Sequence, residues 1–220
     1  MNIKYNLKEI YPRVFLVTMD NSYDLAMTFC RAQEFYESPY KEIRGKNFDM
    51  VEFQRLYTMR RGESCFTYPE DWCGFNISSN AIWYCYFANN IPNPNQYDET
   101  FEIIIRKITE NVNSIRDMKY YLIGANTGDE RTKNHEIAHA FYYLHPSYKR
   151  EMNKLIKEIN KCSYNKITNF LLNAGYTKKV IDDEIQAYLA TGDSYLQDDG
   201  IKISKNITKK FQKVFEEYIQ

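Results

Sequence analysis

Residues 132–146 read Thr-Lys-Asn-His-Glu-Ile-Ala-His-Ala-Phe-Tyr-Tyr-Leu-His-Pro. Ile137, Ala138, Phe141 and Leu144 recur at helical spacing, and Pro146 discourages continuation, so the stretch predicts a helix ending near Leu144 or His145. On that helix His135 and His139 share one face, with the Glu136 carboxylate beside them. Two neutral imidazoles one turn apart can share a tetrahedral ion at about 2.0–2.1 Å. A carboxylate next to the first can take a proton from water at the open position. The plainer reading is an ordinary core stripe with polar neighbours. Composition weighs against it, because the chain holds 3 His and all of them fall between positions 135 and 145.

Two histidines do not hold a catalytic zinc, so a third protein ligand is expected, and there are two candidates. His145 would extend the motif, but only if the helix broke three residues after His139. Tyr142 stands there and resists the left-handed conformation such a break needs. If the helix continues, His145 points about 280° around from His135. The other candidate is Glu184. At about 100° per residue, Val180, Ile181, Ile185, Ala187 and Tyr188 form an apolar arc with Glu184 inside it, Asp182 at its margin and Asp183 outside. A lone carboxylate in that arc would cost several kcal/mol, and a zinc ion is a partner that removes the cost.

Around this stretch the chain reads as α+β. Val14-Phe15-Leu16-Val17 predicts a buried strand, and a helix follows from about Asp24 to before Pro39. Asp49 predicts the cap of a second helix. Cys65–Tyr68 and Ala81–Phe87 read as strands, Asn89–Asn95 as a loop, and a helix capped by Asp98 as running through Val112. Residues 118–124 read as a strand leading towards the metal helix. Beyond Pro146 only helices are expected, at about 147–161, 165–173, 177–190 and 204–219, with a polar connector from Thr191 to Gly200. The expected organisation is an α/β subdomain, 1–145, ending in the metal helix, and a helical subdomain, 146–220, carrying the third ligand.

The composition bounds the function classes. With 220 residues the chain can build a core without staples, and its 5 Cys, scattered and never in Cys-x-x-Cys spacing, read as reduced, mostly buried thiols. Its 29 basic and 29 acidic residues cancel, so no nucleic-acid partner is expected. The N-terminus lacks the apolar core of a signal peptide, and no apolar run approaches bilayer length; a cytoplasmic protein without a membrane partner is the expectation. Cys73, in Glu-Asp-Trp-Cys-Gly-Phe, reads as a buried residue at a turn in preference to a nucleophile, because nothing nearby in sequence lowers its thiol pKa.

The motif His135-Glu136-Ile137-Ala138-His139, followed by a glutamate on a later helix, resembles that of the zincin metallopeptidases, in their gluzincin branch. The 45 positions between His139 and Glu184 are similar to the spacing in lethal-factor-like catalytic domains. The resemblance covers about residues 118–190. It implies a zincin-like fold, with a sheet-bearing half, a mostly helical half and the metal site in the cleft between them. It also implies a Tyr or His that stabilises the oxyanion, and Tyr176 lies one position from the matching place. Where thermolysin-like members have an Asp four residues after the ligand glutamate, Tyr188 stands here, which leaves histidine support unassigned. The expected function is a zinc-dependent peptidase acting on a peptide or protein, with His135, His139 and Glu184 as ligands and Glu136 as general base. The alternative is a catalytically inactive zincin-like binding or regulatory module in which the metal is structural or absent.

Overall fold

A computed structural model of the chain describes residues 3–88, 90–110, 118–192, 196 and 200–220. The contacts divide it into two compact units, Met1–Thr132 and Lys133–Gln220. The expected boundary at 145/146 joined the metal helix to the sheet-bearing half. By its contacts that helix belongs, from Lys133 onward, with the helical unit.

The first unit is built on a four-stranded mixed sheet of order β1-β2-β4-β3, formed by β1 (Asn6–Tyr11), β2 (Val14–Met19), β3 (Gly74–Ser78) and β4 (Tyr121–Asn126). β2 runs parallel to β4, and the outer pairs are antiparallel. β2 follows its expectation, since an unbroken apolar run suits a strand covered on both faces. β1 has no such run. It is an edge strand with mixed burial, closed onto β2 by a turn in which Pro12 precedes Arg13 at φ 67. The long helix α1 (Ser22–Glu37) starts where the Asn21 side chain accepts from Asp24 N–H. It packs against β4 at Gly124, where a Cβ would lie 2.7 Å from the Phe29 ring. Phe29 in turn stacks on Phe75 and meets Phe101 edge-on, at centroid distances of 5.4 and 5.5 Å.

α2 (Met50–Arg61) is capped by Asp49 as expected. Cys65–Tyr68 is not a strand. Pro69 near the start of α3 (Tyr68–Asp71) favours a helical turn, and the Thr67 hydroxyl donates to Asp71 across it. Ala81–Phe87 is not a strand either: it forms α4 (Ser79–Ile82) and a π-helical turn (Trp83–Phe87). An apolar run without alternation fits a buried helix as well as a strand, and the Ser78 hydroxyl, accepting from Ala81 N–H, decides for the helix. α5 (Gln96–Thr109) starts ahead of the expected cap at Asp98: Asn95 is the N-cap, and Asp98 is the third helical residue, whose side chain closes a full capping box by accepting from Asn95 N–H. Its expected continuation to Val112 lies outside the described residues. Of the five thiols only Cys30 and Cys85 are buried; Cys65, Cys73 and Cys162 are exposed. The expectation of a buried Cys73 is therefore corrected: Trp72 packs half-buried against the core, and Cys73 beside it is exposed ahead of β3.

A buried ion pair pins α1 to α5. Arg31 Nε and Nη2 donate to the two Asp98 oxygens at 2.6 and 2.9 Å, Tyr86 OH donates to Asp98 at 3.1 Å, and Arg31 Nη1 donates to the Phe48 carbonyl.

The second unit takes in α6 (Glu130–Leu144) from Lys133 onward, then α7 (Pro146–Glu158), α8 (Lys161–Asn173), α9 (Ile181–Thr191) and α10 (Lys205–Ile219). Phe211 and Phe215 of α10 are buried, and that helix packs on α7 and α9. The expected connector from Thr191 to Gly200 falls mostly outside the described residues. No helix among the described residues is long and apolar enough to cross a membrane.

Candidate metal centre

α6 and α9 bring the candidate ligands together. His135 and His139 lie one turn apart on α6, and their Nε2 atoms face each other at 3.2 Å. Glu184 sits in the first turn of α9, where its carboxylate is favoured by the helix N-terminus, and its N–H donates to the Val180 carbonyl. Its Oε1 is 3.6 Å from His139 Nε2, and its Oε2 is 3.7 Å from His135 Nε2. Two ligands of one tetrahedral ion at about 2.0–2.1 Å are themselves separated by about 3.3 Å. The donor set matches that spacing: one ligand atom from each of His135, His139 and Glu184 lies within 4.8 Å of the others.

Burial sharpens the fit. His139 and Glu184 are 2% and 3% exposed, and Glu184 Oε2 and His135 Nδ1 are buried with no hydrogen-bond partner among the described residues. An uncompensated carboxylate oxygen inside a protein is expensive, and a cation held by Glu184 would remove that cost. Two imidazoles and a carboxylate suit zinc among the common divalent ions.

The arrangement around the donors is polar and specific. The Nδ1–H of His139 donates to Asp183 Oδ1 at 2.8 Å, which leaves Nε2 facing His135 and Glu184. Burial alone would push the His139 pKa down; the charges of Asp183, Glu184 and Glu136, with the Asp183 hydrogen bond, outweigh it and raise the pKa well above the ordinary value. Tyr188, one turn after Glu184, packs edge-on against His135 at 4.7 Å between centroids. The Tyr188 and Tyr176 hydroxyls are 3.4 Å apart. Gly175, at φ 104, turns the chain after α8, and Tyr176 N–H caps that helix at the Leu171 carbonyl. Burial, then the negative charges of Glu184 and Glu136, keep the Tyr176 hydroxyl protonated far above its usual range. Tyr188 also lines a cavity of about 570 Å³ with Leu189, Leu196, Ile201 and Ile203.

No protein-family model, curated protein or solved structure matches the chain.

The local chemistry therefore carries the functional reading. His145 is not among the residues brought together: it caps α7, with its ring against Phe141 and Tyr218. Glu136 is buried beside His139 on α6. Asp183 is the residue sequence reasoning missed. Its position outside the apolar arc of α9 gave no reason to expect it at the site, whereas that flank meets the edge of the His139 imidazole.

Proposed function

We propose that the chain is a zinc-dependent metallopeptidase that hydrolyses peptide bonds in a peptide or protein substrate. The observation that carries this reading is the convergence of His135, His139 and Glu184 donor atoms within 4.8 Å in a buried site, with the buried carboxylate of Glu136 on the same helix as the two histidines. His135 Nε2, His139 Nε2 and the Glu184 carboxylate would hold the metal. Bound there, zinc supplies Lewis acidity, acidifying water and polarising a carbonyl. Glu136 takes the proton from the attacking water and passes it to the leaving amine nitrogen. Tyr176, held protonated, donates to the carbonyl oxygen as negative charge builds on it.

The resemblance to zincin metallopeptidases supports the same assignment, and the zincin-like fold is part of the proposal. A structural zinc site is closed by four ligands, whereas the described residues supply three, which leaves a position open. A structural site also has no use for a buried carboxylate at Glu136.

The test is Glu136→Gln. The zinc-loaded wild-type protein is expected to cleave members of a generic peptide library. The variant should keep its zinc and lose about 10²- to 10⁴-fold in rate. An active Glu136→Gln protein would remove the general base from the account. Zinc bound without cleavage of any peptide by the wild type would turn the reading to a binding module.

A further inference from the structure

Asp183 retains 27% of its side-chain exposure, so the water beside it competes for the oxygen that orients His139. The residue that answers this competition is Gln186, three positions on and fully buried. One Gln186 N–H donates to Asp183 Oδ1 at 3.0 Å, and the other donates to the Ala138 carbonyl of α6 at 3.3 Å. Its Oε1 accepts from Tyr148 OH of α7 at 3.0 Å, and Tyr148 is itself fully buried. Both amide protons are therefore used. The reversed amide would turn its oxygen towards a carboxylate and a carbonyl, so the Tyr148 hydroxyl and the two acceptors fix one orientation.

We infer that Gln186 and Tyr148 are positioning residues for the metal site, acting through Asp183 to hold His139 in the tautomer and rotamer that present Nε2 to the ion. The inference rests on the metal reading above and extends it. An unpaired amide in the middle of α9 would cost stability, whereas an apolar side chain would fill the same volume without that cost. What the amide adds is direction. It ties Asp183 to α6 one residue before His139, so the carboxylate and the imidazole move as one body. Among the described residues His135 Nδ1 finds no hydrogen-bond partner, so His135 lacks comparable support there. The precision of the site therefore depends on the His139 side. Partners of this kind typically change metal affinity by about 10- to 100-fold.

The test is a double-mutant cycle on the full chain. Zinc affinity is read by chelator competition, and the cobalt-loaded visible spectrum reports ligand geometry. Asp183→Ala and Gln186→Met are each expected to weaken zinc about 10- to 100-fold and to alter the cobalt spectrum. Gln186→Met should have little further effect in the Asp183→Ala background, because its route to the metal is already cut. Tyr148→Phe keeps the ring packing and is expected to weaken zinc less, again only when Asp183 is present. It supplies the cycle if Gln186→Met does not fold. Equal effects of Gln186→Met or Tyr148→Phe with and without Asp183, or unchanged zinc affinity and cobalt spectrum, would overturn the inference while leaving the metal site intact. A wild-type chain that binds no zinc would overturn the metal reading itself, and the inference with it.

Discussion

Glu184 Oε1 lies 3.6 Å from His139 Nε2, too far for a hydrogen bond yet close to the separation of two ligands on one ion. The carboxylate is buried, its other oxygen has no hydrogen-bond partner among the described residues, and His135 Nε2 lies 3.7 Å from that oxygen.

A ligand that binds only the folded chain stabilises it by mass action, by about 2.7 kcal/mol at a hundred times Kd. Urea denaturation with zinc and with a chelator should show a gain of that order for the wild type. Glu184→Gln keeps the shape but removes the anionic donor, and most of the gain should disappear. An equal gain in the variant would exclude Glu184 as a ligand.

Away from the site, the first unit should report pH through Glu34. Burial pushes its carboxyl up to about 7 from 4.5, against partial opposition from Ser38 and Tyr68. Between these values the unfolded chain releases the proton and the folded chain keeps it, so stability falls as pH rises from about 4.5 to about 7 and then levels off. The loss is on the order of 3 kcal/mol. Glu34→Gln should flatten this slope and be the more stable protein at pH 8, measured as urea midpoints at pH 5 and pH 8. A parallel slope in the variant would show that another group is responsible.

Asp98 serves Arg31, Tyr86 and the N-terminus of α5 together. Asp98→Asn keeps the shape and leaves the buried Arg31 charge uncompensated, a change that typically costs about 3–5 kcal/mol. Chemical denaturation should show a loss of that size. A loss under about 1 kcal/mol would mean that Arg31 finds another partner.

Legibility followed period and punctuation. The helix cap at Asp49 and the apolar run Val14–Val17 of β2 could be read locally because one side chain or one run decides each, whereas the start of α5 was legible only to within three residues, since Asp98 completes the capping box from inside the helix. β1 could not, because an edge strand needs only a half-buried face and Lys8 and Glu9 break its pattern. Ala81–Phe87 was misread because seven apolar residues carry no period, so the Ser78 cap decided the outcome. At the site, helical spacing pointed to His135, Glu136, His139 and Glu184. Asp183 and Gln186 act across two helices, on partners distant in sequence, and no local pattern encodes that.

The most direct test of the metal centre is equilibrium dialysis of the purified chain against micromolar zinc, with metal counted per chain. One zinc per wild-type chain is predicted, with binding lost or strongly weakened in His139→Ala and Glu184→Ala variants that remain folded. A wild-type chain that stays metal-free, or zinc retained equally by both variants, would contradict the account.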